Sequence, residues 1–167
     1  MLWAVYKKGE CLNDEPIFGG VELCLGKLEI KQYIKNREPL LLLDSADIKV
    51  GEFVKAYKSL NADEWYFACH YPGEPMMPGV LQLELLGQAG TLLMNALPGN
   101  KGKLAILSRY ANAAFYKKVL PLTALVAEVK LKSFRRGLAK LSGEISVDGA
   151  LVCSADFMLV YPDEMSI

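Results

Sequence analysis

From residue 79 to residue 99 the chain reads GVLQLELLGQAGTLLMNALPG, with apolar side chains on nearly every side of the helix that this spacing predicts over residues 79–96. A helix apolar all round belongs inside a protein. Its polar members, Glu84, Gln88, Thr91 and Asn95, stand at i, i+4, i+7 and i+11 and form one stripe along the cylinder. The PGN at 98–100 closes the helix. Elsewhere the period shortens to two. LLLLDSADIKVGEFVKAYKSL, 40–60, reads as two strands turning about Val50-Gly51-Glu52, and WYFAC, 65–69, as an aromatic third. Four further strand runs follow: LAILSRYANAAFY, TALVAEVKLKSF, LAKLSGEISV and ALVCSADFMLVY. Turn signals at Pro121, Arg136-Gly137 and Asp148-Gly149 separate them. LEIKQYIKN, 28–36, has the spacing of a short helix that Pro39 ends.

One helix too apolar for a surface, set among antiparallel strands, predicts an α+β fold: an antiparallel β-sheet curled around a long central helix, a hot-dog-like layout. Residues 1–26 have no clear period and carry Pro16, Gly19 and Gly20, so they read as an N-terminal extension to a domain spanning 27–167.

Composition narrows the class. At 167 residues the chain can bury a sizeable single core, and 52% hydrophobic against 23% charged residues argues against disorder and allows some apolar surface for an oligomer interface. Nineteen basic residues balance nineteen acidic ones, so no overall field draws nucleic acid or an anionic membrane. A charged partner must be met by a local patch. Cys11, Cys24, Cys69 and Cys153 include no C-x-x-C pair and imply neither a metal site nor a redox couple; free thiols in a reducing cytosol are the simplest account. The opening MLWAVYKKGE is too briefly apolar for a signal segment or a membrane span, which implies a cytoplasmic protein.

The chemistry concentrates just before and within the apolar helix, in CHYPGEPMMPGVLQLE. His70 is the sole histidine, and Pro72, Pro75 and Pro78 predict a stiff, extended lead-in fixing it relative to the helix start. Gly79 lets a ligand approach where the first helical N–H groups lack partners, and Glu84 is a carboxyl on a buried helix. A base, an acid and a potential oxyanion site thus share one short segment. The plain alternative is that Glu84 is a core group satisfied by a hydrogen bond and His70 a filler. Cys69 beside His70 raises a thiol–imidazole pair, but neighbours on a strand point to opposite faces. Met76, Met77 and Met94 read as core or acyl-tunnel lining.

HYPGEPMMPGVLQLE resembles the signature of the β-hydroxyacyl-acyl-carrier-protein dehydratases of the FabZ/FabA type, with fourteen residues from His70 to Glu84. NREPLLLLD, 36–44, and SFRRGLAKLSGEISVDGALVCSADFML, 133–159, extend the resemblance over roughly residues 28–161. It implies a hot dog fold, with His70 and Glu84 as the catalytic pair and no cofactor or metal. Gln88 matches a further signature position and joins Gly79 and Val80 as substrate-binding candidates. Glutamate at 84 favours the simple dehydratase branch over the isomerising one. The implied partner is an acyl carrier protein bearing a 3-hydroxyacyl thioester. The implied assembly is a homodimer, or a trimer of dimers, in which each site draws on two chains.

The chemistry suits these residues. Water is eliminated by taking a weakly acidic α-proton and protonating a poor leaving group. Histidine, ordinarily titrating near ~6.5, is a fitting base. Burial of Glu84 favours its protonated form, while the helix N-terminus pulls the other way. The basic run KLKSFRR, with Lys130, Lys132, Arg135 and Arg136, is either a solvated strand edge or a docking patch for an acidic carrier, with Lys117 and Lys118 as further candidates. Two other functions fit the pattern: another thioester enzyme, hydrolase or isomerase, and a silent carrier-binding module.

Overall fold

The computed structural model describes residues 22–164. Strand β1 (Glu22–Gly26) leads into α1 (Lys27–Tyr33), followed by β2 (Ser45–Lys49), β3 (Phe53–Ser59) and the long helix α2 (Gly79–Asn95). Four strands complete the chain: β4 (Ile106–Phe115), β5 (Ala124–Arg135), β6 (Leu138–Val147) and β7 (Ala150–Val160), with a 3-10 turn at Pro162–Glu164. They form one seven-stranded antiparallel sheet in the order β1-β2-β3-β5-β6-β7-β4. α2 packs against β3, β5, β6 and β7, so the sheet wraps the helix. Leu85, Leu86, Ala89, Leu92, Leu93 and Met94 of α2 have no exposed surface. That is the α+β hot dog arrangement the patterning predicts.

The turn chemistry fixes the register. Arg136-Gly137 and Asp148-Gly149 are two-residue hairpin loops with positive φ at both positions, at 49° and 72° and at 50° and 76°. Arg135 therefore pairs with Leu138, and Val147 with Ala150. With register set, strand alternation turns Ala127, Val129, Leu141 and Ile145 inward to the helix.

Several expectations need correction. The WYFAC segment is a run of turns, not a strand: Phe67, Cys69 and His70 donate their N–H groups to Glu64, Tyr66 and Tyr66. Its consecutive aromatics Tyr66 and Phe67 are both buried, which an alternating strand on one sheet face does not allow. The short helix ends at Tyr33, before the expected 36. Cys24 is disulfide-bonded, so the expectation of four free thiols fails there; Cys69 and Cys153 are free. Residues 22–26, read as the end of the extension, pair as β1 with β2, and residues 1–21 lie outside the described part. No described helix is long and apolar enough to cross a membrane.

Packing between helix and sheet is closest at Gly90. A Cβ there would stand 2.6 Å and 2.8 Å from ring atoms of Phe157 and 3.3 Å from Leu141, both buried. Neither neighbour has room to swing aside. Gly90→Ala should therefore destabilise the protein by about 1–3 kcal/mol despite alanine's better helix propensity. Urea unfolding measures this, and an unchanged or raised midpoint would show that the layers can part.

Candidate active site

His70 follows the turns of residues 65–69 and is half-buried. The lead-in is not extended throughout: residues 75–78 run into the helix without a turn, but Pro72 sits in one. Pro72 and Gly73, the latter at φ +85°, occupy the corners of a tight turn in which Tyr71 and Glu74 exchange backbone hydrogen bonds of 3.2 and 2.9 Å. The chain folds back, and Met76 N–H donates to the His70 carbonyl at 3.1 Å. Proline presets one turn corner as readily as it stiffens an extended run. The same fold-back brings the Met76 carbonyl within 3.2 Å of His70 Nδ1. A carbonyl can only accept, so Nδ1 carries the proton and the neutral ring's lone pair lies on Nε2. The Tyr71 ring stacks on the imidazole, 4.3 Å between centroids.

Met77 N–H then donates to Val119 at 2.8 Å, pinning the loop beside the segment that follows β4. The result is an open groove of about 530 Å³ lined by His70, Met77, Gly79, Val80, Gln82 and Phe115, with Tyr116, Lys117 and Lys118 at its rim. Pro78 opens α2 without a side-chain cap. Its carbonyl accepts from Leu81 and Gln82, leaving the Gly79 and Val80 amides without a hydrogen bond among the described residues. A Cβ on Gly79 would stand 2.9 Å from the Phe115 ring. The expected base and the expected oxyanion donors therefore share one groove.

Glu84 does not line that groove. Two residues beyond Gln82, it points about 160° away around the helix axis. It is half-buried, and Glu84 Oε1 accepts from Asn36 Nδ2 at 3.1 Å and Gln88 Nε2 at 2.8 Å. Two donors on one oxygen leave Oε2 as the oxygen free to hold or release a proton. Tyr110 of β4 donates to the carbonyl of Leu83, next to Glu84. Burial first, and then the charge of Glu84, push the Tyr110 hydroxyl well above the ordinary tyrosine range, so it stays a donor. The Cys69 thiol, hydrogen-bonded to the Tyr66 carbonyl at 3.4 Å, makes no pair with the imidazole.

Gln88, a substrate-binding candidate from the sequence, has its hydrogen bonds inside the protein. Its Oε1 accepts from Leu42 N–H at 2.9 Å, and its Nε2 donates to Leu40 at 2.7 Å as well as to Glu84. It holds Glu84 in place. Asn36 escaped the sequence reading because its contact with Glu84 spans 48 residues and no local pattern marks it.

The basic run lies elsewhere. Lys130 and Lys132 line a polar hollow of about 280 Å³ on the outer sheet face with Glu128, Glu144 and Asp156. Lys130 sits 3.0 Å from Glu128, whose hydrogen bond and charge hold the ammonium above its ordinary range. Arg135 and Arg136 are at the far end of β5, about 35 Å along the strand from Ala124 at ~3.3 Å per residue. The groove adjoins the near end. Among the described residues no group of three His, Cys, Asp or Glu side chains is placed to hold a metal ion.

Comparison with known proteins sets these features in a family. Residues 34–156 match the family model described as a FabA-like domain. The chain is 36% identical over 142 residues to a 3-hydroxyacyl-[acyl-carrier-protein] dehydratase FabZ of Alkaliphilus metalliredigens, covering 83% of this chain and 97% of that protein. It is 38% identical over 133 residues to the FabZ of Clostridium botulinum strain Eklund 17B, covering 78% and 94%. Among solved structures, the dehydratase heterocomplex ApeI:P of Xenorhabdus doucetiae superposes with a TM-score of 0.67 at 15% identity, covering 80% of this chain and 90% of that one. A phenylacetic acid degradation-related protein of Ralstonia eutropha, titled a putative thioesterase, gives 0.51 at 17% identity, covering 65% and 75%. At those identities the structural matches speak to the fold alone.

The Gln88 bonds generate a stability prediction. Gln88→Ala removes the acceptor of a buried Leu42 N–H and the donors to Leu40 and Glu84 together. It should cost about 1–3 kcal/mol for each buried group left unpaired. Chemical denaturation measures it; wild-type stability would mean that water replaces the side chain.

Proposed function

The chain belongs to the FabA-like family, and from that premise we propose that it is a 3-hydroxyacyl-[acyl-carrier-protein] dehydratase, converting a 3-hydroxyacyl thioester to the trans-2-enoyl thioester and water. The observation that carries the reading is that His70, whose Nδ1 is engaged by the Met76 carbonyl, lines one groove with Gly79 and Val80, whose amides have no hydrogen bond among the described residues. The thioester carbonyl accepts from those amides, which stabilise the charge that develops as the α-proton leaves. One such donor is worth roughly 3 kcal/mol in comparable sites. His70 Nε2 takes the α-proton, and Glu84 Oε2 gives its proton to the 3-hydroxyl, which departs as water.

Because Glu84 does not line its own chain's His70 groove, the acid is assigned to a second copy. The sheet edge supports this. Among the described residues β4 pairs with β7 alone, which leaves the backbone groups of its other side without a described partner, and its Ile106, Leu107 and Phe115 are 47%, 41% and 50% exposed. Val80, one turn before Glu84, is 72% exposed. A homodimer joined along β4 would cover this surface and bring the acid of one chain toward the base of the other.

Carrier docking is assigned to Lys117 and Lys118, which rim the groove, in preference to Lys130, Lys132, Arg135 and Arg136, which do not line it. A soluble carrier substrate fits a cytoplasmic location. The fold is shared with a protein titled a putative thioesterase, and product analysis separates the activities: enoyl thioester for dehydration, free acid and thiol for hydrolysis.

With 3-hydroxyacyl thioester as substrate, His70→Ala and Glu84→Gln should each lower kcat by about a hundredfold or more with the circular dichroism spectrum unchanged. Near-wild-type turnover in either folded variant would remove that residue from the mechanism.

A further inference from the structure

Among the described residues two buried side-chain polar atoms lack a hydrogen bond, the Tyr66 hydroxyl and Gln82 Oε1, and Gln82 lines the His70 groove. The residue is 3% exposed. Its Nε2 donates to the Met77 carbonyl at 3.4 Å, which fixes the orientation of the amide, since a carbonyl cannot pair with the amide oxygen. Oε1 is thus left without a donor in a place that water does not readily supply. A buried acceptor with no partner is unfavourable, and an apolar side chain of the same shape would avoid the penalty. Leucine stands at 81, 83, 85 and 86 of the same helix, so such a side chain would suit the surroundings. A glutamine here makes sense if its donor arrives with the ligand.

The dehydratase reading, on which this inference rests, offers two kinds of donor: the 3-hydroxyl of the acyl group and the amide N–H groups of the pantetheine arm. The arm must leave through the exposed rim at Tyr116, Lys117 and Lys118, whereas Gln82 is buried. Gln82 also lies one helical turn beyond Gly79, about 4.5 Å along the axis. With the thioester carbonyl on the Gly79 and Val80 amides, the group that falls beside Gln82 is the hydroxyl two carbons further on. We propose that Gln82 Oε1 accepts a hydrogen bond from the substrate's 3-hydroxyl. Gln82 is then a substrate-positioning residue. It orients the C3–O bond, and because the hydroxyl donates to it, the oxygen's lone pairs stay free to receive the proton of Glu84. No proton passes to Gln82.

The test uses pantetheine amides, in which nitrogen replaces the thioester sulfur and elimination is suppressed, with binding to the intact protein measured by calorimetry. The wild type should bind the 3-hydroxybutyryl amide roughly tenfold more tightly than the butyryl amide, the scale of one hydrogen bond. A 3-methoxybutyryl amide, which accepts but cannot donate, should bind no better than butyryl. Gln82→Met should abolish the hydroxyl preference, leave butyryl affinity unchanged, and keep or raise the thermal midpoint. Equal binding of the methoxy and hydroxy forms, or a hydroxyl preference that survives in Gln82→Met, would overturn the proposal. So would a loss on all three ligands, which would assign Gln82 to the pantetheine arm or the groove wall. If Gln82→Met does not fold, the wild-type comparison of hydroxy and methoxy forms decides. A hydroxyl preference without turnover of the thioester would sink the dehydratase reading and leave Gln82's contact standing; turnover without the preference would do the reverse.

Discussion

A helix enclosed by protein has no water for its polar side chains, and in this chain that constraint organises everything around α2. Each such group must find a partner within the fold or be left at a cost. Asn95 reaches the Tyr33 and Lys103 carbonyls at 2.6 and 3.0 Å and accepts from Tyr161 at 2.7 Å. Gln88 takes the backbone of Leu40 and Leu42. The polar stripe therefore stitches residues 33–42 onto the helix, and this stitching brings Asn36 to Glu84. The acid's setting is a by-product of how the helix satisfies its own polar groups.

The proposed base is held by different means. His70 belongs to a loop that makes its own turn at Pro72-Gly73 and returns the Met76 carbonyl to the imidazole. Loop and helix meet at Pro78, beside the groove that Gly79 and Val80 line. The two halves of the proposed chemistry thus rest on separate supports, one a backbone turn and one a buried side-chain network. Helix geometry directs Glu84 away from the groove of its own chain, which is why the proposed site draws on a second copy.

Much of this was legible in the sequence, for physical reasons. The all-round apolar helix, the two-residue turns and the alternation in β5, β6 and β7 each depend on local spacing, and the structure has them, whereas β4 is largely exposed and does not alternate. The segment from His70 to Glu84 marked itself by composition. What the sequence did not disclose depends on contacts between distant residues: Asn36 on Glu84, the internal use of Gln88, and the placing of Lys117 and Lys118 rather than Arg135 and Arg136 at the groove. The aromatic run at 65–69 misled because strand preference there reflects packing against a pleated surface, and these side chains are packed by turns instead. Proline was also ambiguous, because its fixed φ suits an extended run and a turn corner alike.

In the proposed arrangement one site is built from His70 of one chain and Glu84 of another. Mixing the separately inactive His70→Ala and Glu84→Gln proteins under conditions of subunit exchange tests it most directly. Half of the dimers should be mixed, and each mixed dimer holds one site with both residues intact, so about a quarter of wild-type activity should return. Mixed dimers demonstrated by mass spectrometry that remain inactive would contradict the account and place base and acid within a single chain.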